Sequence, residues 1–201
     1  MRAEGKDFLP LLKSLKNTGT TEGILLIAVV NGPDESCESI HKSNEESIKL
    51  LEESYQILEQ PTGSYRLGRN ERDQLLLIDL ASKPWRMSPQ QGVGLARKTG
   101  CDLALRFIHN GLISSPWIHS TDADVQLPQD YFSVPAPFGS NLNVAGLAYP
   151  FVHNVEGPPE LHKAIRLYEI SLFYYELGFR WAGSPFAYQN IGSTLAVRAW
   201  N

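Results

Sequence analysis

Residues 24–30 read ILLIAVV, and residues 74–80 read QLLLIDL. Both are short apolar runs of strand length, and the first is rich in β-branched side chains. Such runs are typical of strands that are buried on both faces. The residues Asn31, Gly32 and Pro33 follow the first run and predict that its strand ends there. The two segments therefore predict two buried strands of one domain.

Helical patterns alternate with these strands. Apolar residues spaced three or four apart predict a one-sided helix over 36–58. The sequence Ser88-Pro89-Gln90-Gln91 has the form of a capping box, which predicts a helix that starts there and runs to about Ile108. The other predicted elements are helices over 7–15 and 158–177, the latter with Gly178 just past its end, and strands over 116–122, 142–149 and 192–198. This alternation predicts an α/β fold with a largely parallel central sheet.

Composition and charge narrow the class of protein. The 201 residues are 42% hydrophobic, which is enough for one domain with a sizeable core. A formal net charge of −4 and the lack of a basic stripe argue against a nucleic-acid-binding protein. The two cysteines, Cys37 and Cys101, have no metal-ligand spacing and are expected to be reduced thiols of a cytoplasmic protein, with a disulfide as the alternative. No apolar run is long enough to predict a transmembrane segment.

The predicted strand at 116–122 ends in an Asp-X-Asp sequence, Asp122-Ala123-Asp124. Side chains two residues apart at the end of a strand lie on the same side, so both carboxylates are expected to face one site. Ligands of open α/β sheets bind at the carboxyl ends of the strands. Paired carboxylates suit Mg²⁺ or Mn²⁺, which usually also bind substrate phosphates. The alternative is that the two aspartates only cap the loop that follows.

Two segments resemble one known family. The segment WIHSTDADVQLPQDYF at 117–132 resembles the DXD region of family 2 glycosyltransferases, which have the GT-A fold. About 20 residues upstream, the segment 92–100 (GVGLARKTG) is similar to that family's G-x-x-x-A-R-N-x-G helix, with Lys98 in place of the asparagine. The resemblance implies a three-layer, Rossmann-like nucleotide-diphospho-sugar transferase domain and a glycosyltransferase activity, expected to be inverting.

The resemblance also implies roles for individual residues. Asp122 matches the aspartate that contacts the ribose or donor sugar, and Asp124 matches the one that coordinates the metal on the donor diphosphate. Both are therefore expected at the metal site, with Mn²⁺ or Mg²⁺ as the cofactor. Arg97 matches an arginine near the nucleotide. Asn31 stands where the family usually has an aspartate that binds the base, which leaves the choice between a UDP- and a GDP-sugar open.

The same resemblance predicts that residues 1–201 form a single but incomplete domain. Residues 192–198 look like a glycine-containing acceptor segment, and the Glu-Asp pair expected to carry the catalytic base is absent, so the catalytic residue is unknown. Arg2-Ala3-Glu4-Gly5 matches the end of the family's Y-N-E-G turn, and the strand before that turn is missing. A competing alignment makes 24–30 the first strand. A missing central strand would make pairing with another chain, or a homo-oligomer, plausible.

Two other interpretations remain open. A non-catalytic or degenerate donor-binding domain would keep the Asp-X-Asp site without turnover. Phosphohydrolases of the haloacid dehalogenase type also use Asp-X-Asp, but on their first strand. Two aromatic segments have separate expectations: Phe173-Tyr174-Tyr175 is expected in the core, and residues 181–185 are a candidate acceptor loop. His119 is expected to be packed or hydrogen-bonded. His153 lies in a loop that could approach the donor.

Overall fold

The computed structural model describes residues 5–58, 63–139, 141–154, 157–189 and 194–199. Residues 2–4 of the expected turn and residues 192–193 of the last predicted strand lie outside these ranges. The elements, in chain order, are α1 (Leu9–Asn17), β1 (Leu25–Asn31), α2 (Glu38–Ser54), β2 (Gln56–Ile57), β3 (Tyr65–Arg69), β4 (Gln74–Leu80), α3 (Val93–His109), β5 (Trp117–Thr121), a 3₁₀ turn (Ala136–Phe138), β6 (Gly146–Ala148), α4 (Pro159–Trp181) and β7 (Thr194–Arg198).

The first sheet has the strand order β1-β4-β3-β2. β1 and β4 pair in parallel, in register from Leu25 opposite Gln74 to Asn31 opposite Leu80, which confirms the two strands predicted from their apolar runs. β3 pairs antiparallel with both β4 and β2. Neither β2 nor β3 was predicted, and the expected largely parallel sheet is wrong for the described residues, where parallel strand pairing is confined to β1 and β4.

Both faces of the first sheet are covered by helices. One cluster joins α1 and α2 to the sheet through buried residues that include Phe8, Leu51 and Leu77. A second cluster places Ala96 of α3 against Val29, Leu76 and Ile78 on the opposite face. The continuous apolar sequence of β1 and β4 follows from this arrangement, because strands covered on both faces need apolar side chains at every position.

The second sheet is antiparallel, with the order β5-β7-β6. The guanidinium of Arg198 on β7 is buried and donates to the backbone oxygens of Phe138, Gly139 and Asn141. These bonds tie the strand to the loop that follows the 3₁₀ turn. The predicted strand at 142–149 is shorter than expected, since only Gly146–Ala148 pairs with β7.

The helix ends differ from the predictions for identifiable reasons. α2 stops at Ser54 instead of residue 58, because Tyr55 adopts an extended backbone and its buried ring joins the core, after which Gln56–Ile57 pairs with β3. The capping-box sequence does not start α3. There the Gln91 side chain accepts a hydrogen bond from the Ser88 N–H within a turn, and the helix begins only at Val93.

α4 also runs past its predicted end. Gly178 lies inside the helix, which stops at Trp181. Gly183, with a φ of 70°, follows the end, and the N–H groups of Gly183 and Ser184 donate to the carbonyls of Arg180 and Phe179. This pair of hydrogen bonds is the Schellman pattern, which needs a left-handed residue and so favours glycine at position 183.

The aromatic residues of α4 are exposed. The prediction that Phe173-Tyr174-Tyr175 is core is wrong: these residues are 59%, 74% and 68% exposed. No residue of α4 is buried within the described part of the chain. None of the helices in the described ranges is both long and apolar enough to span a bilayer.

Candidate functional site

A cavity of about 840 Å³ lies between β1 and β5, beside the first turns of α3. Asn31, Arg97, Asp122 and Asp124, the four residues singled out by sequence, all line this cavity. Asn31 is the last residue of β1, and Asp122 directly follows β5. The structure thus brings together side chains that are up to 93 positions apart (124 − 31) at one end of the strands.

Arg97 and Asp122 form an ion pair across the cavity. Nη2 of Arg97 donates to Oδ1 of Asp122, and both side chains remain about one-third to two-fifths exposed, at 34% and 43%. A pair this exposed contributes roughly 0–1 kcal/mol to stability, because water screens it. The ion pair joins α3 to the end of β5, so its main effect is to hold both side chains in place in the cavity lining.

Asp124 differs from Asp122 in its surroundings. It lies in the turn after β5, is exposed, and has no hydrogen-bond or ion-pair partner among the described residues. Ala123, between the two aspartates, is 7% exposed and packs into the core that α1 and α2 share with the first sheet. The buried alanine anchors the turn, and the Asp124 carboxylate is left open to a cation from solution.

Asn31 is a buried residue of the cavity lining. It is 2% exposed, and its carbonyl oxygen accepts a hydrogen bond from Nδ2 of Asn44, on α2, at 3.4 Å. Gly32 follows it where a Cβ would meet the same Nδ2 at 2.7 Å. A side chain at position 32 would therefore require the Asn44 amide to move.

The N-terminus of α3 opens onto the cavity. Gly92, its N-cap, and Val93 both line the cavity, and no side chain caps the helix. The first turn carries no acidic residue. A helix N-terminus presents N–H groups and a partial positive charge, which favour an anion. Together with Arg97, one turn further along, it makes this side of the cavity suited to phosphate oxygens.

The site offers few donor atoms for the expected metal ion. No group of three or more His, Cys, Asp or Glu side chains in the described ranges is arranged to hold a metal ion. The site offers instead two carboxylates, one of them in an ion pair and one open. Mg²⁺ and similar ions often bind through one or two carboxylates and complete their coordination with substrate phosphates and water. The residues present therefore fit a metal that binds together with a phosphate ligand.

A buried aromatic cluster supports β5 just ahead of the aspartates. The His119 ring lies 4.9–6.2 Å, between ring centroids, from Tyr131, Phe132 and Tyr149. Its Nδ1 lies 3.3 Å from the Tyr149 hydroxyl, which also donates to the Tyr131 carbonyl. Burial lowers the pKa of His119 to about 4 and raises the pKa of Tyr131 to about 12, so both are neutral at pH 7. The prediction that His119 is packed or hydrogen-bonded is confirmed.

His153, expected in a loop that could approach the donor, and the candidate acceptor loop at 181–185 lie outside the cavity. The backbone N–H and Nδ1 of His153 both lie 3.1 Å from Oε1 of Glu169, which ties the loop to α4. The two hydrogen bonds from His153 lower the pKa of Glu169. Trp181, the first residue of the candidate acceptor loop, is 93% exposed. None of these residues lines the cavity between β1 and β5.

Sequence reasoning missed two features of the site. The Arg97–Asp122 ion pair was not predicted, although both residues had been singled out. Arg97 lies near the start of α3, and Asp122 directly follows β5, the next strand along the chain. These positions could have indicated that the two residues lie close together. The second missed feature is Asn44 of α2, whose amide donates to the carbonyl oxygen at the end of β1. The spacing of residues along α2 did not indicate this role, because the role depends on tertiary packing.

Comparison with known proteins gave no relative. No family model, no curated protein and no solved structure matches this chain.

Proposed function

We propose that this domain binds a nucleoside diphosphate sugar together with a divalent metal ion, and that it serves glycosyl transfer to an acceptor. The observation that carries the proposal is the meeting of Asn31, Arg97, Asp122 and Asp124 in one cavity. Carboxyl ends of strands in α/β sheets are where such ligands bind. The resemblance of 92–100 and 117–132 to family 2 glycosyltransferases supports the same ligand. Helices on both faces of the first sheet support a three-layer GT-A-type arrangement.

Each residue has a chemical task in this proposal. Asp124 supplies an open carboxylate to the metal, either Mn²⁺ or Mg²⁺. Arg97 and the N-terminus of α3 face the diphosphate and stabilise its negative charge. Asp122 stays oriented by Arg97 and faces the sugar or ribose hydroxyls. Asn31, at the carboxyl end of β1, stands at the position that the resemblance assigns to contact with the base.

Transfer of the sugar breaks the bond between the anomeric carbon and a diphosphate oxygen. A bound metal ion would act as a Lewis acid toward the diphosphate as it leaves. The cationic guanidinium of Arg97 and the helix N-terminus stabilise the same developing charge from the protein side. The acceptor hydroxyl must lose its proton to a base. No residue is assigned to that step.

A second candidate function is donor binding without turnover. Besides Asp122 and Asp124, Glu22 is the only acidic residue of the described chain that lines the cavity. Glu22 precedes β1, whereas the two aspartates follow β5 at the end where β1 finishes. The described residues thus place no third carboxylate beside the aspartates to serve as the base. A haloacid-dehalogenase-type site is disfavoured because the Asp-X-Asp sequence follows the fifth strand of the chain.

Calorimetric titration tests the binding proposal. UDP and GDP are each titrated into the protein with and without Mn²⁺. We expect one of them to bind at least about tenfold more tightly with the metal, equivalent to about 1.4 kcal/mol. Asp124→Asn should abolish this gain, whereas Asp130→Asn, at an exposed aspartate outside the cavity, should leave it unchanged. If neither nucleotide binds in the presence of Mn²⁺, the proposal fails.

Turnover separates the two candidate functions. The protein is incubated with Mn²⁺ and a panel of UDP- and GDP-sugars, and release of the free nucleotide is measured. Release that disappears in Asp124→Asn would establish a catalytic domain. Metal-dependent binding without release, including in the presence of candidate acceptors, would establish a donor-binding domain.

A further inference from the structure

One side of α4 faces the rest of the described chain. Glu169 accepts a hydrogen bond from the His153 backbone N–H, and the His153 ring lies 5.4 Å from the Tyr168 ring, between centroids. The half-buried residues of α4 recur every three or four positions, as on one face of a helix: His162, Ile165, Glu169, Leu172 and Glu176. This inner face therefore attaches α4 to the domain.

A second stripe, which is apolar, runs along the outer side of α4. Its residues are also spaced three or four apart, and they are 55%, 62%, 74%, 64% and 93% exposed, in the order Leu167, Ile170, Tyr174, Leu177 and Trp181. At about 100° per residue, the centre of this outer stripe lies about 150° around the helix axis from the inner face. Alternating steps of three and four residues are typical of a helix that packs against another helix.

The exposed apolar area of α4 is close to what a stable interface needs. Phe173 and Tyr175 flank the outer stripe and are 59% and 68% exposed. Because an aromatic side chain can bury about 150–250 Å², these two residues together with Tyr174 and Trp181 offer roughly 600 Å². The three aliphatic residues of the stripe add to this area. A standard-size interface takes about 800 Å² from each partner.

Two copies of the outer stripe complement each other when the helices run antiparallel. A two-fold axis near the middle of the stripe places Ile170 opposite Tyr174 of the second copy, so that a smaller side chain meets a larger one. In the same register Lys163 faces Trp181 of the second copy, where its ammonium group can lie over the indole ring. Parallel helices would instead bring the two Lys163 side chains together and align the two helix dipoles.

We propose that the outer stripe of α4 is the interface of a symmetric dimer in which two copies of α4 pack antiparallel. The occupant is a second copy of this chain, because the stripe is self-complementary and its exposed area suits a standard-size interface. The proposal concerns the assembly of the protein and does not depend on nucleotide binding.

Sedimentation equilibrium of the 201-residue protein tests the proposal. We expect a mass of two chains at roughly 50 µM protein, because interfaces of this size have dissociation constants in the micromolar range or below. Leu177→Lys places a charge opposite Leu167 of the second copy and should weaken dimerisation at least about tenfold. Leu142→Lys is the matched control, since Leu142 lies outside α4 and is also 64% exposed, and it should leave the dimer unchanged.

A mixing experiment tests the antiparallel arrangement. Leu167→Glu should also weaken the dimer when it is alone, because it too places a charge against an apolar side chain. In a mixture of equal amounts of Leu167→Glu and Leu177→Lys, antiparallel helices bring the new carboxylate and the new ammonium together. The other contact between positions 167 and 177 keeps its two leucines. The mixture should therefore form more dimer than either variant alone, which parallel helices would not allow.

Urea unfolding checks that Leu177→Lys remains folded, and Ile170→Lys takes its place if it does not. A wild-type protein that is monomeric at roughly 50 µM would overturn the proposal. So would a dimer that survives in the folded Leu177→Lys variant, or a mixture that forms no more dimer than its components. A monomeric protein that sediments with vesicles of phosphatidylcholine and phosphatidylserine would assign the stripe to a membrane surface instead. Nucleotide takes no part in these measurements, so their failure is distinct from failure of the proposed function.

Discussion

Lowering the pH should destabilise this protein through His119. Burial lowers the pKa of this histidine in the folded protein to about 4, from an ordinary value of 6.5. The unfolded chain therefore binds a proton at a higher pH than the folded one, and the stabilisation is present above pH 6.5 and lost as the pH falls toward 4. The shift of 2.5 units (6.5 − 4) corresponds to about 3 kcal/mol in full, and to about 2 kcal/mol between pH 7 and pH 5.

Urea unfolding at pH 7 and pH 5 measures this loss. The variant His119→Asn keeps a polar group beside the Tyr149 hydroxyl but does not titrate, so it should lose about 2 kcal/mol less than the wild type over this interval. His109→Asn, at the exposed end of α3, should behave like the wild type. If His119→Asn and the wild type lose equal stability between pH 7 and pH 5, the reasoning from burial is refuted.

Two further changes test the packing around the site, both measured by urea unfolding at pH 7. Leu77→Ala, at a side chain with no exposed surface, should cost about 2–5 kcal/mol, and Leu142→Ala, at a 64% exposed one, should cost under about 0.5 kcal/mol; comparable costs would contradict the core assignment. Gly32→Ala should cost about 1–3 kcal/mol because its Cβ would lie 2.7 Å from Nδ2 of Asn44, whereas Gly178→Ala, inside α4 with open space around it, should be neutral or stabilise the protein by up to about 1 kcal/mol. A neutral Gly32→Ala would show that Asn44 does not hold the end of β1.

The strands β1 and β4 were predictable because they are buried on both faces. An apolar residue is then required at each position of β1 and β4, and the pattern is visible without knowledge of the partners. β3 was missed because it reads Tyr-Arg-Leu-Gly-Arg, with mostly exposed or half-buried positions. Its pairing with β4 depends on tertiary contacts, and local sequence carries no comparable signal.

The sequence could predict which residues meet at the site, but it could not predict the contacts of their side chains. Ligands of α/β folds bind at the carboxyl ends of the strands, so a shared site for Asn31 and the two aspartates could be anticipated. The separate surroundings of Asp122, paired with Arg97, and of Asp124, open to solvent, could not. These surroundings depend on where the side chains of α3 and of the turn after β5 lie. The spacing of residues along the chain does not define those positions.

We predict that a divalent metal and a nucleotide diphosphate bind together at Asp124. Electron paramagnetic resonance measures free Mn²⁺ directly, so manganese can be titrated into the protein with and without the nucleotide that binds. If the two ligands share the site, each must raise the affinity for the other by the same factor. We predict that the nucleotide tightens Mn²⁺ binding to the protein at least about tenfold, which is about 1.4 kcal/mol of coupling, and that Asp124→Asn abolishes this gain. Equal Mn²⁺ affinity with and without nucleotide, or a gain that survives in Asp124→Asn, would contradict the claim.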